Sequence, residues 1–262
     1  MNYAYVTQDV DGAVATVTLN RPERRNAFDD RLIAELAEVF GVLNADPSIR
    51  AVILRGAGKS FCAGADLEWM GRMAGFSQAE NLADAARAEE MFDAIAASPK
   101  VTIAAVHGAA LGGGAGLTAC CDVTIAIKGT MFAFSEVRLG IAPAIIAPYV
   151  IGKIGSGHAR ALFLTGRRFD STEAHRIGLV QQVVEDDRAL DNAVQATVDD
   201  VLQSGPLAIA ATKSLMHDLQ GKTAARAARK LTTQLIASLR VSEEGQEGLK
   251  AFLEKRKPKF AE

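Results

Sequence analysis

The chain has 262 residues, 49% of them hydrophobic, and its 29 basic and 31 acidic side chains give a net charge of −2. This length allows a sizeable core, and the near-neutral charge argues against general nucleic-acid binding. Three cysteines without metal-ligand or disulfide-framework spacing lead us to expect a reducing, cytoplasmic setting. The N-terminus lacks a signal-peptide pattern, and no apolar run reaches the ~20 residues that would span a membrane.

The first hundred residues alternate strand-like and helix-like segments. Residues 13–19 alternate in polarity, which is typical of a half-buried strand. Asp29 is placed to cap a helix with apolar residues at 3.6-residue spacing, and residues 51–54 predict a buried strand. Ser77 is placed to cap a long helix that ends before Pro99.

Two further strands are predicted at residues 101–106 and 123–127, on either side of a glycine-rich stretch. A short β-like run at 131–134 leads into Ser135 and Glu136. Strands that alternate with helices in this way indicate an α/β fold.

Helical patterns dominate beyond residue 144, with helices expected at 148–151 and 156–164. Ser171 is predicted to begin the cap of the next helix, and residues 179–184 to form a brief strand. We place a soft boundary near residue 200, so that residues 1–200 form the core and residues 201–262 a helical region that packs on another subunit or wraps the core.

The most informative pattern is a pair of glycine-rich turns, Gly56–Gly64 and Gly108–Gly114, each between a strand and a helix start. Such turns expose backbone N–H groups. Two N–H groups that converge on one carbonyl oxygen form an oxyanion hole, and each donor is worth ~3 kcal/mol in the transition state. The alternative is that both turns are tight chain reversals packed on the sheet.

The segments Phe61–Leu67 and Gly108–Gly114 resemble the crotonase (enoyl-CoA hydratase/isomerase) superfamily, and the likeness extends over essentially the whole chain. It implies a spiral of ββα units around two sheets, with a C-terminal helical region that forms trimers or hexamers. Trp69-Met70 and residues 135–140 most resemble bacterial methylglutaconyl-CoA hydratases and related branched-chain acyl-CoA enzymes.

By this resemblance, the oxyanion hole consists of the N–H groups of Ala65 and Gly113, directed at the thioester carbonyl of an acyl-CoA. Glu136 matches a catalytic glutamate of the family. It follows the apolar 131–134 run, so a pocket of low polarity would raise its pKa toward that of a useful proton carrier. The alternative is a surface glutamate paired with Arg138.

The same resemblance implies a binding site for coenzyme A, with no cofactor beyond that part of the substrate and no metal. The adenine end would follow the backbone from Ala63 to Leu67, arginines would lie near the phosphates, and C-terminal side chains would reach a neighbouring subunit's nucleotide. The residues so implied are Ala63, Asp66, Leu67, Arg24, Arg25, Phe252 and Lys255.

One position departs from the family pattern. Two-glutamate hydratases carry their other glutamate two residues after the glycine turn, and here that residue is Gly116. We expect first a hydratase of a branched 2-enoyl-CoA that uses Glu136. The alternatives are a Δ3–Δ2 enoyl-CoA isomerase with Glu136 as its single base, and a catalytically degenerate homologue that only binds acyl-CoA.

Three other residues are expected to be structural. His107 is predicted to hold a loop by hydrogen bonds, Asp122 to serve as a cap or ion-pair residue, and Cys62 to be buried packing.

Overall fold

The computed structural model describes residues 3–219, 238–239 and 242–262, without the side chain of Phe252. Strands and helices alternate up to residue 202 and helices follow. The elements are β1 Val6–Asp11, β2 Val14–Leu19, α1 Asp30–Ala45, β3 Ala51–Gly56, α2 Leu67–Met73, α3 Gln78–Ala96, β4 Val101–Val106, β5 Ala109–Leu111, α4 Gly113–Cys120, β6 Val123–Ile127, β7 Met131–Ala133, α5 Ala147–Thr165, β8 Arg168–Asp170, α6 Ser171–Arg176, β9 Gln182–Val184, α7 Asp187–Leu202, α8 Pro206–Leu219 and α9 Glu243–Glu254.

The strands form two sheets. The larger has the order β1-β2-β3-β4-β6-β9 and the smaller the order β5-β7-β8. In the larger sheet only the β1–β2 pair is antiparallel, and each later neighbour is parallel. Parallel neighbours require crossover connections, and the intervening helices supply most of them. The predicted α/β fold is confirmed.

Local sequence explains how the helices near the site begin. Asp29 accepts the N–H of Leu32 and caps α1, as expected. Ser77 and Glu80 form a reciprocal capping box at the start of α3, which fixes that helix against the cavity described below. The interruption expected between the two helices at 148–164 is a kink at Gly155, whose φ of 75° is outside the helical region.

Several expectations require correction. The cap of α6 is Asp170, whose side chain accepts the N–H of Glu173. Ser171, which was expected to begin the cap, is the first residue of the helix. The 179–184 strand is shorter, at Gln182–Val184. The sequence analysis missed β1, β5 and β8 altogether: β1 exposes five of its six residues, and the other two are three residues long. Short or solvated strands leave no clear alternation of polar and apolar residues.

The described residues of the C-terminal region are mostly in the helices α8 and α9, as the helical patterns predicted. No helix of the part of the chain that the structure describes is both long and apolar enough to cross a membrane.

Candidate active site

The two glycine-rich turns lie side by side. Residues 61–62 pair with residues 107–111, because the N–H of Phe61 donates to His107, the N–H of Cys62 to Ala109, and the N–H of Leu111 back to Cys62. β5 is the part of the second turn that makes this contact. A short parallel pair therefore carries the two turns to one place.

Both turns require glycine where they meet. Gly64 has a φ of 93°, and a Cβ there would lie 2.9 Å from the carbonyl oxygen of Leu111. Gly112 has a φ of 51°, and its Cβ would lie 4.0 Å from the Cα of Gly64. These conformations and the close approach are accessible only without a side chain. Glycine is therefore required at both positions for the two turns to lie together.

The N–H groups of Ala65 and Gly113 are free to bind a ligand. Phe28 donates to the carbonyl of Gly64 and accepts from the N–H of Asp66, so the N–H of Ala65 between them faces away from that pair. Gly113 is the first residue of α4, and the first N–H groups of a helix have no partner within it. Neither N–H donates to an acceptor within residues 3–219.

Glu136 lies beside these turns. It begins a 3₁₀ turn at Glu136–Leu139 just after β7, and a Cβ on Gly112 would lie 3.4 Å from its Oε1. Its Oε2 is buried and has no hydrogen-bond partner among the described residues. Burial raises the pKa of this carboxyl group above its usual value. Arg138, the alternative partner, instead reaches the carbonyl of Thr165.

A cavity of about 340 Å³ joins these groups. Ala65, Gly113 and Glu136 all line it. The other lining residues, mostly apolar, are Phe28, Ile33, Trp69, Met73, Asn81, Asp84, Ala85, Ala88, Met91, Phe92, Ile141, Ala142, Pro143, Ala144, Ile145 and Ile146. An apolar cavity with a few polar groups at one place is typical of a small-molecule site.

The space beside Gly116 is filled by the side chains of Ile146 and Phe92, which line the cavity. A Cβ on Gly116 would lie 2.3 Å from Cγ2 of Ile146 and 3.2 Å from the ring of Phe92. There is no room for a carboxylate at this position. Of the charged residues that line the cavity in the described part of the chain, only Glu136 and Asp84 are present, and both are acidic.

The sequence analysis did not predict the cavity residues Asn81 and Asp84, nor the place of Trp69 in the cavity wall. Asp84 lies on the inner face of α3, almost fully buried, and pairs with the exposed Arg87 at 2.9 Å. Trp69 was noted only for its resemblance, yet its indole is 8% exposed and lines the cavity. The signal for Asp84 was its spacing of four and seven residues from Ala88 and Met91, which places all three on one helical face.

A buried ion-pair network holds the loop that carries Ala65. Arg21 pairs with Asp29 at 3.0 Å and with Asp66 at 3.2 Å, and donates to the carbonyl of Ala27. Asp66 also caps α2 by accepting the N–H groups of Glu68 and Trp69. Burial opposes ionisation of Asp66, but these bonds and the charge of Arg21 hold its pKa below the usual value. The side chain of Asp66 therefore belongs both to this ion-pair network and to the cap of α2.

The residues expected to contact coenzyme A are mostly at the surface of the same region. Arg24 is exposed and pairs with Glu68 at 2.7 Å, while the side chain of Arg25 makes no ion pair among the described residues. The backbone N–H groups of Ala63 and Asp66 are already bonded within the chain, to Arg25 and Phe28, so they cannot donate to adenine. The expected path of adenine along the backbone from Ala63 to Leu67 stays a prediction, because the adenine amino group can donate to backbone carbonyl oxygens.

Three other residues were expected to contact coenzyme A. Leu67 is 81% exposed, and Lys255 is exposed, with a φ of 53°. Phe252 belongs to α9, but its side chain lies outside the described residues.

His107, Asp122 and Cys62 have the structural roles that were expected of them. His107 Nε2 lies 3.0 Å from the carbonyl oxygen of Gly58 and holds the first turn. Asp122 accepts from the N–H and hydroxyl of Thr102 and pairs with Lys213. Cys62 is fully buried, and burial raises the pKa of its thiol to about 12.

Comparison with known proteins shows the family to which the chain belongs. A family model described as enoyl-CoA hydratase/isomerase matches residues 9–262. The chain belongs to the enoyl-CoA hydratase/isomerase family. The crotonyl-CoA hydratase of Syntrophomonas wolfei is 32% identical over 262 residues, which cover 99% of each chain.

Solved structures of related proteins share the whole fold. An enoyl-CoA hydratase from Shewanella pealeana superposes with a TM-score of 0.95 at 38% identity, over 98% of this chain and 96% of that one. Pseudomonas aeruginosa AtuE gives a TM-score of 0.94 at 37% identity, over 99% and 100%. The crotonase resemblance and the fold that it implied are confirmed, and the chain is an acyl-CoA-processing enzyme of the hydratase/isomerase type.

Proposed function

We propose that the enzyme adds water reversibly across the C2=C3 bond of a 2-enoyl-CoA. The thioester oxygen accepts hydrogen bonds from the N–H groups of Ala65 and Gly113. As the water oxygen bonds to C3, the π electrons move toward that thioester oxygen and form an enolate. Glu136 takes the water's proton and then delivers a proton to C2, so the product is a 3-hydroxyacyl-CoA.

The observation that carries this proposal is that two unpaired N–H groups and a carboxylate with one unpaired oxygen belong to residues that line a single, mostly apolar cavity. The N–H groups gain strength as negative charge develops on the thioester oxygen, which is the condition for catalysis rather than mere binding. The raised pKa of Glu136 makes its protonated form accessible during the cycle.

We propose further that the acyl group is uncharged. A second carboxylate on the substrate would meet Asp84 and Glu136, and no cationic side chain of the described residues lines the cavity to balance it. This disfavours a methylglutaconyl substrate, which carries such a carboxylate. An uncharged branched acyl chain fits the mostly apolar wall.

A second reaction of the same site is Δ3–Δ2 isomerisation, and the packing of Ile146 against Gly116 favours it. Moving a proton from C4 to C2 needs one base and no water. Glu136 can supply that base alone, so isomerisation tolerates the missing second carboxylate better than hydration does.

Coenzyme A would lie along the exposed edge near Arg24 and Arg25, with Lys255 of a neighbouring subunit completing the site in a trimer or hexamer. This part of the proposal rests on the resemblance and on the exposure of these side chains. Light scattering of the purified protein measures the oligomeric state.

Mass spectrometry of an acyl-CoA panel tests the reaction. Straight, branched and dicarboxylic 2-enoyl-CoA thioesters are each incubated with enzyme, and 3-enoyl-CoA is followed for conversion to the 2-enoyl form. We expect a gain of one water with uncharged 2-enoyl-CoA and little with the dicarboxylic one. Saturable binding without turnover of any thioester would support a binding protein instead.

A further inference from the structure

Two polar atoms of the cavity lack the partners that buried groups normally have. Five buried side-chain polar atoms among the described residues make no hydrogen bond, and two of these atoms, Trp69 Nε1 and Glu136 Oε2, belong to residues that line this cavity. Buried polar groups are nearly always paired, because an unpaired one costs about 1–3 kcal/mol. Two in one cavity point to a ligand that pairs with both.

The two atoms are complementary in kind. An indole N–H can only donate a hydrogen bond, and a carboxylate oxygen can only accept one. Trp69 and Glu136 do not bond to each other. A water molecule or a hydroxyl group can accept from the first and donate to the second, so an oxygen that carries hydrogen satisfies both at once.

The backbone of Trp69 is tied to the loop that carries Ala65, and its indole belongs to the wall of the same cavity. Trp69 lies in the first turn of α2, and its backbone N–H donates to the capping carboxylate of Asp66, the residue directly after Ala65. That carboxylate is held in turn by Arg21. The indole therefore stands on the same rigid frame as one of the two oxyanion donors.

Asp84 is the other polar candidate and lies further off. It is eight residues before Phe92 on α3, a distance of about 12 Å along the helix axis. Phe92 is the residue of α3 that approaches the oxyanion site, since a Cβ on Gly113 would lie 3.6 Å from its ring. Asp84 therefore lies about two turns of α3 away from the residue that approaches the oxyanion donors.

From these positions we propose that the indole N–H of Trp69 holds the water that adds to C3, while Glu136 takes that water's proton. The new bond joins the water oxygen to C3, the displaced π electrons reach the thioester oxygen, and Glu136 passes a proton to C2. Trp69 keeps its own proton throughout. Its hydrogen bond positions the water, as a carboxylate at residue 116 would otherwise do. The inference rests on the proposed hydratase reaction.

The test is the substitution Trp69→Phe, which removes the N–H and keeps an aromatic ring in the wall. We expect kcat for hydration to fall about tenfold or more, the effect of one lost hydrogen bond in a transition state. Deuterium exchange at C2 of a saturated acyl-CoA needs no added water and is expected to change less than about threefold. The melting temperature reports whether the variant folds normally.

Phe28→Leu is the matched control, because it alters an aromatic wall residue without a polar atom. Its effects on hydration and on C2 exchange should run in parallel. Equal losses of both activities in Trp69→Phe, or an undiminished hydration rate, would overturn the role of Trp69. A wild-type enzyme that exchanges C2 protons but hydrates no 2-enoyl-CoA overturns the proposed function, and with it this inference.

A spectroscopic readout is independent of turnover. Trp69 is the single tryptophan of the chain, so its fluorescence reports this site alone. In a Glu136→Gln background, we expect a 3-hydroxyacyl-CoA to shift the emission more than the saturated acyl-CoA of equal length, because only the former brings an oxygen at C3. Identical spectra for the two ligands would contradict the contact.

Discussion

Gly112 and Gly116 are one helical turn apart, and the N–H of Gly116 donates to the carbonyl of Gly112, yet their surroundings differ. A Cβ on Gly112 would meet the carboxylate of Glu136 at 3.4 Å, whereas one on Gly116 would meet Cγ2 of Ile146 at 2.3 Å. The first corner keeps a polar group unpaired and the second is closed by packing. Both are glycines for steric reasons, but only the first adjoins the chemistry.

The cavity has no carboxylate at residue 116, yet its wall is closely packed there. At Gly112, the positive φ of 51° forms the turn that presents the N–H of Gly113, and Glu136 lies beside it. At Gly116, the place of a side chain is taken by Ile146, so hydrocarbon occupies the space. Proton transfer is therefore confined to one carboxylate on one side of the cavity.

The largest expected effect is at the polar corner. Glu136→Gln removes the proton carrier, and kcat should fall about 10³-fold or more while acyl-CoA still binds. Steady-state kinetics and equilibrium binding measure the two quantities separately. A variant that keeps more than a tenth of the wild-type kcat would remove Glu136 from the reaction.

The second largest effect is expected from the buried ion-pair network of Arg21, Asp29 and Asp66. Arg21→Met leaves the buried carboxylates of Asp29 and Asp66 without their cation, and we expect a loss of about 3 kcal/mol in unfolding free energy. Arg72→Met, which breaks the exposed pair with Asp30, is the control and should cost less than about 1 kcal/mol. Urea unfolding compares them, and similar losses in both would refute a stabilising frame.

At the apolar corner, Gly116→Ala should destabilise by about 2 kcal/mol because its methyl group meets Ile146. In an Ile146→Ala background the same change should cost less than about 1 kcal/mol, since coupled residues are not additive. Gly41→Ala is the control: nothing lies within 4 Å of its Cβ, and alanine should stabilise α1 by about 0.5–1 kcal/mol. Additive costs at 116 and 146 would disprove the contact.

The smallest effect concerns stability and pH. Burial raises the pKa of Glu136 in the folded enzyme, so the folded state holds this proton more tightly than the unfolded chain. The group therefore lowers stability as the pH rises through its folded pKa. Glu136→Gln should melt slightly above the wild type near pH 8 and no higher near pH 4. A difference that stays the same at both pH values would contradict this cause.

Much of the polar corner was predictable from sequence. The glycine turns sit between strand and helix signals, and Asp29 and Ser77 were placed correctly as caps because capping depends on a few adjacent residues. The burial of Glu136 was predictable because an apolar run precedes it, whereas its catalytic role was implied by the resemblance. These features are local, and the resemblance supplied their common purpose.

The apolar corner was not predictable in the same way. The fit of Ile146 against Gly116 joins residues thirty positions apart, and no local pattern encodes it. The same holds for Arg21, whose contact with Asp66 spans 45 residues. Trp69 carried no signal beyond resemblance, since a buried indole with an unpaired N–H can be recognised only once its neighbours are known.

Deuterium exchange at C2 of a saturated acyl-CoA tests the central claim most directly, because it needs the oxyanion donors and Glu136 but neither water addition nor a leaving group. In D2O, the wild-type enzyme is expected to introduce deuterium at C2, detected by mass spectrometry, and Glu136→Gln to introduce none above the rate without enzyme. Exchange that persists in Glu136→Gln, or a wild-type enzyme that binds the thioester and exchanges nothing, would contradict an enolate formed between Ala65, Gly113 and Glu136.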